Sequence, residues 1–573
     1  MSLHHPPPNP AGDPSDAHAG GRRRFEALPR IPASTEQVVA AASLFWVLAA
    51  NRGFVGAALH QRPPGEASTW IFAGALLVML WALHTLLLLP LATRRTIKPA
   101  VAVLTLMAAS GSYFVAAYGV VLDPSMLRNV LRTDPAEARE LLTVDFALHM
   151  LLYAALPLVL LWRARISPRP WQRALLAKSL LAATAFLVLV GGVWASFQPL
   201  SSWMRNQREA RYLITPANIV WSASRVLAAD ARGATQPREA IGSDASPGPS
   251  WATRARPLVV VLVVGETARA ANWGLNGYAR QTTPRLATAG VVNFPRVGAC
   301  GTNTEVSLPC MFAPVGRRDH DEDRIRRQES LLHVLARAGV AVHWRDNQSG
   351  CKGVCEGLPN DLVDAQRAPG LCDGERCLDE GLIHDLPARL QQARGTQLWV
   401  LHMLGNHGPS YWRRYPSTFA RFQPECRDDD LRRCSVEEIT NSYDNALLYT
   451  DHVVARTIET LRAASDRVDS ALVYVSDHGE SLGERGLFLH GMPYRIAPKE
   501  QTEVPMVWWT SPGLERAIGL EAGCLVPSLQ QFSRGEVGHD HLFHSLLGLL
   551  DVRTSLHERS LDFVAPCRRG PAG

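Results

Sequence analysis

The sequence predicts two unlike structural classes in one chain: an α-helical membrane domain with five transmembrane helices, then an α/β domain with a mostly parallel sheet between helices. Three observations predict it. Long apolar runs crowd the chain before about residue 200, whereas the rest reads as a mixed soluble sequence. All ten cysteines fall between Cys300 and Cys567, outside the apolar half. From 257 to 510, short β-branched runs alternate with helix-like segments.

A chain of 573 residues is too long for one ordinary domain. Its net charge is +6, from 59 Lys+Arg against 53 Asp+Glu, and no dense basic run interrupts the polar half, so no nucleic acid partner is expected. Residues 1–36 are rich in Pro, Gly, His and Arg and read as a disordered cytoplasmic tail, with His4, His5 and His18 holding no ligand. No cleavable signal peptide fits there, because the first apolar run starts near Gln37. Within 37–199, five apolar segments follow, at 37–59, 69–92, 99–122, 143–162 and 174–197. Each is near the ~20 residues that cross a bilayer. The first is the weakest, since Asn51 and Arg52 interrupt it.

Charge placement sets the orientation. Arg22, Arg23 and Arg24 precede the first span, Arg94, Arg95 and Lys98 fill the second loop, and Arg163, Arg165, Arg169 and Arg173 fill the fourth. Positive loops stay in the cytoplasm, so an odd number of spans carries everything after residue 200 to the other side. The cysteines point the same way. Cys300/Cys310, Cys351/Cys355, Cys372/Cys377 and Cys426/Cys434 are closely spaced pairs, leaving Cys524 and Cys567, and disulfides imply an oxidising compartment. In a bacterium this is a multi-pass inner-membrane protein with its second domain in the periplasm. Within 200–256, residues 201–227 read as an interfacial helix and 228–256, centred on Gly242–Pro249, as a flexible linker; the soluble domain is expected at 257–573.

In parallel sheets, functional groups gather beyond the carboxyl ends of the strands. Glu266 follows the run PLVVVLVVG, Asp477 and His478 cap SALVYVS, and His407 lies in the loop after QLWVLHML. Adjacent strand residues face opposite ways, so Asp477 and His478 share a ligand only where the chain bends, as Gly479 permits. Two carboxylates and an imidazole suit Zn²⁺, or less readily Mn²⁺. Taken singly, each has a plainer reading as a strand-end hydrogen bond or a helix N-terminal charge. Trp273, Trp412, Trp508 and Trp509 read as packing or membrane-facing, and Arg413 and Arg414 as a solvated face or lipid-phosphate contacts.

Between Cys300 and Cys310 runs CGTNTEVSLPC, a loop whose hydroxyl side chains a disulfide would hold stiffly. With YFVAAYGVVLD, NVLRTDPAE, VVGETARAANWGLNGYAR, RDNQSGCKGVC, LHMLGNHGPSY, VSDHGESLGERGLFLHG and HDHLFHSLLGLLDVRT, the chain resembles the lipid A phosphoethanolamine transferases, which include the colistin-resistance enzymes, in the alkaline phosphatase/sulfatase superfamily. The resemblance implies that Thr304 is the nucleophile and binds zinc with Glu266, Asp477 and His478. It implies that His407 and His490 hold a second metal or protonate the departing and arriving oxygens. It places Asn129, Thr133 and Glu137 in the head-group site, Ser349 and Lys352 as a polar pair near the phosphate, and His402 beside His407. Asn129, Thr133 and Glu137 would share one face of an unbroken helix, against which Pro135 argues.

The implied reaction moves phosphoethanolamine from phosphatidylethanolamine to a lipid A phosphate through a covalent threonine intermediate, masking negative charge and conferring polymyxin resistance. One tightly bound Zn²⁺ is expected, a second being the alternative. Other readings are transfer to a core sugar or periplasmic glucan, a membrane-bound phosphodiesterase or sulfatase-like hydrolase, and a silent lipid sensor. The sulfatase C/S-x-P-x-R motif is missing, and every metal-ligand type is present.

Overall fold

The computed structural model describes residues 31–60, 62–233, 237–374 and 376–568. The tail up to residue 30, with its three histidines, lies outside them. Order begins before residue 36, contrary to the tail reading. Ile31–Ala33 pairs in parallel with Ala164–Ile166, and Ser34 opens the first helix with a capping box to Gln37.

Among the described residues, four helices are long and apolar enough to cross a membrane: Ala67–Leu91, Ile97–Tyr118, Val144–Arg163 and Trp171–Ala195. Thr35–Ala50 and Arg52–Leu59 form a bent apolar pair, meeting at 57°, which makes a fifth span when the two are counted as one. The bend falls at the polar interruption. Asn51 Nδ2 donates to the carbonyls of Trp46 (2.9 Å) and Thr215 (2.6 Å), and its Oδ1 accepts from the Thr215 N–H (3.0 Å). The side chain therefore satisfies backbone groups at the break and ties it to the chain after the last span.

That chain is not the single interfacial helix expected over 201–227. It forms Phe197–Asn206, Arg208–Leu213 and Ala217–Gly233, interrupted at Gln207 and before Pro216, and Phe197, Val220, Trp221 and Leu227 stay exposed as a membrane interface requires. The linker reading of 228–256 is also corrected. From Pro237 the chain lies on the soluble domain: Ser246–Pro247 pairs with Val552–Arg553, and Trp251 Nε1 donates to the Leu550 carbonyl (2.8 Å). Ser250 donates to Asp551 through both its N–H (2.9 Å) and Oγ (2.6 Å). Gly248 is needed there, since a Cβ would stand 2.2 Å from the Asp551 carboxyl.

The soluble domain is built on an eight-stranded sheet. In chain order its strands are β1 (Leu258–Gly265), β2 (Val292–Gly298), β3 (Ala341–Asp346), β4 (Asn360–Leu362), β5 (Thr396–His402), β6 (Asp469–Ser476), β7 (Glu503–Thr510) and β8 (Val537–Gly538). Their spatial order is β8-β2-β7-β6-β1-β5-β3-β4. All pairings are parallel except those of β7, which runs antiparallel to β2 and β6. Strand β1 is buried on both faces, as its unbroken apolar run requires. Leu258, Val260, Leu262 and Val264 enter one core with Leu331–Arg337 and Asp540–Leu550; Val259, Val261 and Val263 enter the other with the long helix Val436–Ala463. Five disulfides brace the domain, the last joining Cys524 to Cys567.

Candidate active site

Strands β1 and β6 are neighbours, so their carboxyl ends bring Glu266 beside Asp477 and His478. All three are fully buried, and each offers a ligand atom within 4.8 Å of the others. The bend after β6 is enforced by packing: a Cβ on Gly479 would stand 2.0 Å from the Glu500 carbonyl oxygen. His478 Nδ1 donates to the Gly479 carbonyl at 2.9 Å, which turns Nε2 toward Glu266 Oε1 (3.3 Å) and Asp477 Oδ2 (3.4 Å). Asp477 Oδ2 is buried with no hydrogen-bond partner. Burial and the adjacent Glu266 carboxylate raise Asp477 above the usual carboxylate range. Burial opposes protonation of His478, yet the Asp477 and Glu266 carboxylates push it up to about 10. Two crowded carboxylates, an orphaned oxygen and an imidazole nitrogen fit a divalent cation of the zinc type.

Thr304 reaches this cluster. It is the first residue of the helix Thr304–Met311, capped by the Asn303 side chain, and the Cys300–Cys310 disulfide closes its loop. Its Oγ1 lies 3.3 and 3.2 Å from the two Glu266 oxygens and 3.3 Å from His478 Nε2. Thr302 does other work, donating to the Met492 carbonyl at 2.6 Å and accepting the Gly491 N–H at 2.7 Å through its own carbonyl. It thus fastens the loop carrying His490 to that carrying Thr304.

The outer histidines stand beside the cluster. The His490 ring centroid is 4.5 Å from that of His478 and 5.5 Å from that of His407. His490 Nδ1 is 3.3 Å from Glu480, and His407 Nε2 is 3.7 Å from Glu137. Burial and the nearby His490 hold His407 well below the usual imidazole range. His402 is buried behind them, bonded to Asp346 at 2.8 Å; burial alone would lower it, but Asp346 raises it.

Glu137 comes from the segment between the second and third long helices and is buried against the soluble domain. Burial, then the Glu266 charge, raise it to about 7. The single helical face expected for Asn129, Thr133 and Glu137 is not formed. The helix Pro124–Arg132 stops at Thr133, and Pro135–Glu140 starts afresh with Asp134 as its cap. Pro135 disfavours a helical Asp134, whose ψ is 141°. Thr133 Oγ1 instead donates to the Asn129 carbonyl at 2.8 Å. Lys352 Nζ donates to Ser349 Oγ at 2.7 Å and lies 3.3 Å from Glu305.

Several residues at the site carry no strand-end signal. Gln348 donates to Glu266 Oε2 at 2.7 Å. Asp379 accepts the N–H groups of Leu404 and Gly405, both at 2.9 Å, fixing the His407 loop. His539 accepts the Cys300 N–H (3.0 Å) and faces the Ser476 carbonyl through Nε2 (3.0 Å), joining the Thr304 loop to β6; burial lowers it to about 4. The HDH string was the only sequence mark of that last role.

Residues 80–231 match the family described as phosphoethanolamine transferase EptA/EptB, and residues 259–552 match the sulfatase family. Phosphoethanolamine transferase EptA of Escherichia coli (strain K12) is 37% identical over 475 residues, covering 82% of this chain and 86% of the relative. Phosphatidylethanolamine transferase Mcr-1 of Escherichia coli is 36% identical over 483 residues, covering 82% and 89%. The structure of the integral membrane lipooligosaccharide phosphoethanolamine transferase A from Neisseria meningitidis superposes with a TM-score of 0.88 at 35% identity, over 94% of this chain and 100% of that one. The matches span the membrane part and the soluble sheet alike, and the chain belongs to the EptA family of phosphoethanolamine transferases in the alkaline phosphatase/sulfatase superfamily.

Proposed function

We propose that the chain transfers phosphoethanolamine from phosphatidylethanolamine to a phosphate of lipid A by way of Thr304, on the periplasmic face of a bacterial inner membrane. The observation that carries this reading is the contact of Thr304 Oγ1 with both Glu266 and His478 at a helix N-terminus. One zinc ion held by Glu266, Thr304, Asp477 and His478 would acidify the hydroxyl and neutralise phosphoryl oxygens. Oγ1 attacks the donor phosphorus, the bond to the glyceride oxygen breaks, and diacylglycerol leaves with a proton. A lipid A phosphate oxygen then attacks the same phosphorus, and Oγ1 leaves.

The chain's own groups divide the remaining work. The first N–H groups of the Thr304 helix lack intrahelical partners and face incoming anionic oxygens. Lys352, held by Ser349, adds positive charge beside that helix. Glu137, buried with His407 Nε2 at 3.7 Å, suits the ammonium of the head group, together with Asn129 and Thr133 on the same segment. His407 and His490, whose rings lie 5.5 Å apart, would exchange protons with leaving and entering oxygens, supported by His402. We assign residues 37–199 to the membrane domain and 257–573, with the docked stretch from Pro237, to the catalytic domain. Five disulfides support the oxidising side of the membrane.

The test is to incubate the purified protein with head-group-labelled phosphatidylethanolamine and map adducts by mass spectrometry. Label on Thr304, lost in Thr304→Ala and after chelation, is expected; absence of diacylglycerol, or label elsewhere, overturns the mechanism. A lipid A mass profile unchanged on expression would move the acceptor to core sugar or glucan.

A further inference from the structure

Six charged side chains form a closed ring of alternating sign between the membrane part and the soluble domain. Arg128 pairs with Glu322, Glu322 with Arg326 (3.1 Å), Arg326 with Glu305 (3.3 Å), Glu305 with Arg132 (3.2 Å), Arg132 with Asp230 (3.3 Å), and Asp230 with Arg128 (3.9 Å). Three chain segments supply it. Arg128 and Arg132 lie one turn apart on Pro124–Arg132, Asp230 is on Ala217–Gly233, and the other three belong to the soluble domain. The helix Pro124–Arg132 packs against both Ala217–Gly233 and the Thr304 helix.

The member nearest the chemistry is Glu305, which follows Thr304. Its carboxylate is fully buried and meets three cations, Arg132, Arg326 and Lys352 (3.3 Å). A fully buried carboxylate holds its three cations in register, because stripping it of them would leave a bare buried charge. The segment so held carries Asn129, Thr133 and Glu137.

We propose that this ring is a positioning device that registers the segment 124–140 over Thr304, with Glu305 and Arg132 as its working joint, so that it governs capture of the lipid donor rather than the bond-breaking step. The inference rests on the proposed transferase reading. Arg132 and Asp230 border a cavity of about 1320 Å³ and remain water-accessible, so each single break loosens the joint without burying a bare charge.

The experiment measures kcat and KM of the full chain in phospholipid nanodiscs with labelled phosphatidylethanolamine, for the unaltered protein, Arg132→Gln, Asp230→Asn and Arg132→Lys. Bis(nitrophenyl) phosphate, a water-soluble diester that lacks the ammonium head group, is assayed in parallel. Arg132→Gln and Asp230→Asn are expected to raise KM for the lipid about fivefold with kcat within about twofold. Arg132→Lys is expected to recover most of the change, and cleavage of the soluble ester to stay unaltered. An unchanged KM overturns the proposal. So does a parallel fall of both activities with loss of thermal stability, which would mark the ring as scaffolding alone. If the unaltered protein releases no diacylglycerol, the transferase reading fails instead, an outcome distinct from either.

Discussion

Replacing Glu140 with alanine should loosen the contact between the two halves of the molecule at one place. Glu140 ends the short helix Pro135–Glu140 and is buried, with Arg414 at 2.8 Å and Arg376 at 2.9 Å. The Arg414 side chain is itself 0% exposed, so it has no water to turn to. Removing one partner of a buried ion pair costs about 3–5 kcal/mol. The lower end applies, because Arg414 keeps its bond to the His407 carbonyl (2.6 Å) and Arg376 is slightly exposed. About 3 kcal/mol corresponds to a roughly hundredfold larger population of locally opened molecules. Hydrogen–deuterium exchange should therefore speed up about a hundredfold in 135–142 and 405–414, while the amides of β1 keep their protection. Transfer activity should fall with it, since Arg414 anchors the loop that carries His407. Glu140→Gln, which keeps one acceptor, should show a smaller effect. Exchange in those two segments within about twofold of the unaltered protein would refute the reasoning.

Two further outcomes are expected. Partial burial would raise Asp361, but His343 and Arg345 hold it well below the usual carboxylate range, and Arg345 and Arg389 hold Asp385 down to about 2 against the same opposing burial. Both carboxyls have depressed folded-state values, so their stabilisation is present above the unfolded pKa near ~4 and is lost as pH falls toward ~2. The melting temperature of the soluble domain should drop over that window, and Asp361→Asn should flatten the drop while lowering the neutral-pH value. Gly479→Ala should yield protein that binds less zinc and is nearly inactive, because the added Cβ displaces the strand-end bend carrying His478; metal content by mass spectrometry, matching that of unaltered protein, would contradict this.

Periodicity and composition made the long spans legible, because a bilayer demands twenty apolar residues in a row and little else does. They also made Glu266, Asp477 and His478 legible, since a parallel sheet exposes its chemistry where strands end. Strand β7 shows the limit: EVPMVWWT reads like any buried strand, and nothing local says that it runs against β2 and β6. The docked stretch from Pro237 looks like a linker because its order comes from Asp551 and Leu550, some three hundred residues away. Gln348 and Asp379 were illegible for the same reason. Gln348 acts by one hydrogen bond and Asp379 by two, to partners that only the folded sheet brings near. Thr304 over Thr302 was a matter of resemblance, and the geometry gives the physical difference: one hydroxyl faces the carboxylates, the other a carbonyl of the neighbouring loop.

In all five disulfides, each cysteine is bonded to the next cysteine along the chain: 300 to 310, 351 to 355, 372 to 377, 426 to 434 and 524 to 567. For a soluble domain exported from its N-terminal end, as proposed, the correct mate of every thiol is the very next one to arrive. Oxidation in order of appearance therefore yields the native set with no wrong bond to undo. Such a chain needs a donor of oxidising equivalents for its biogenesis, but no enzyme that reshuffles disulfides. Its maturation should thus tolerate loss of an isomerase and fail on loss of the oxidant.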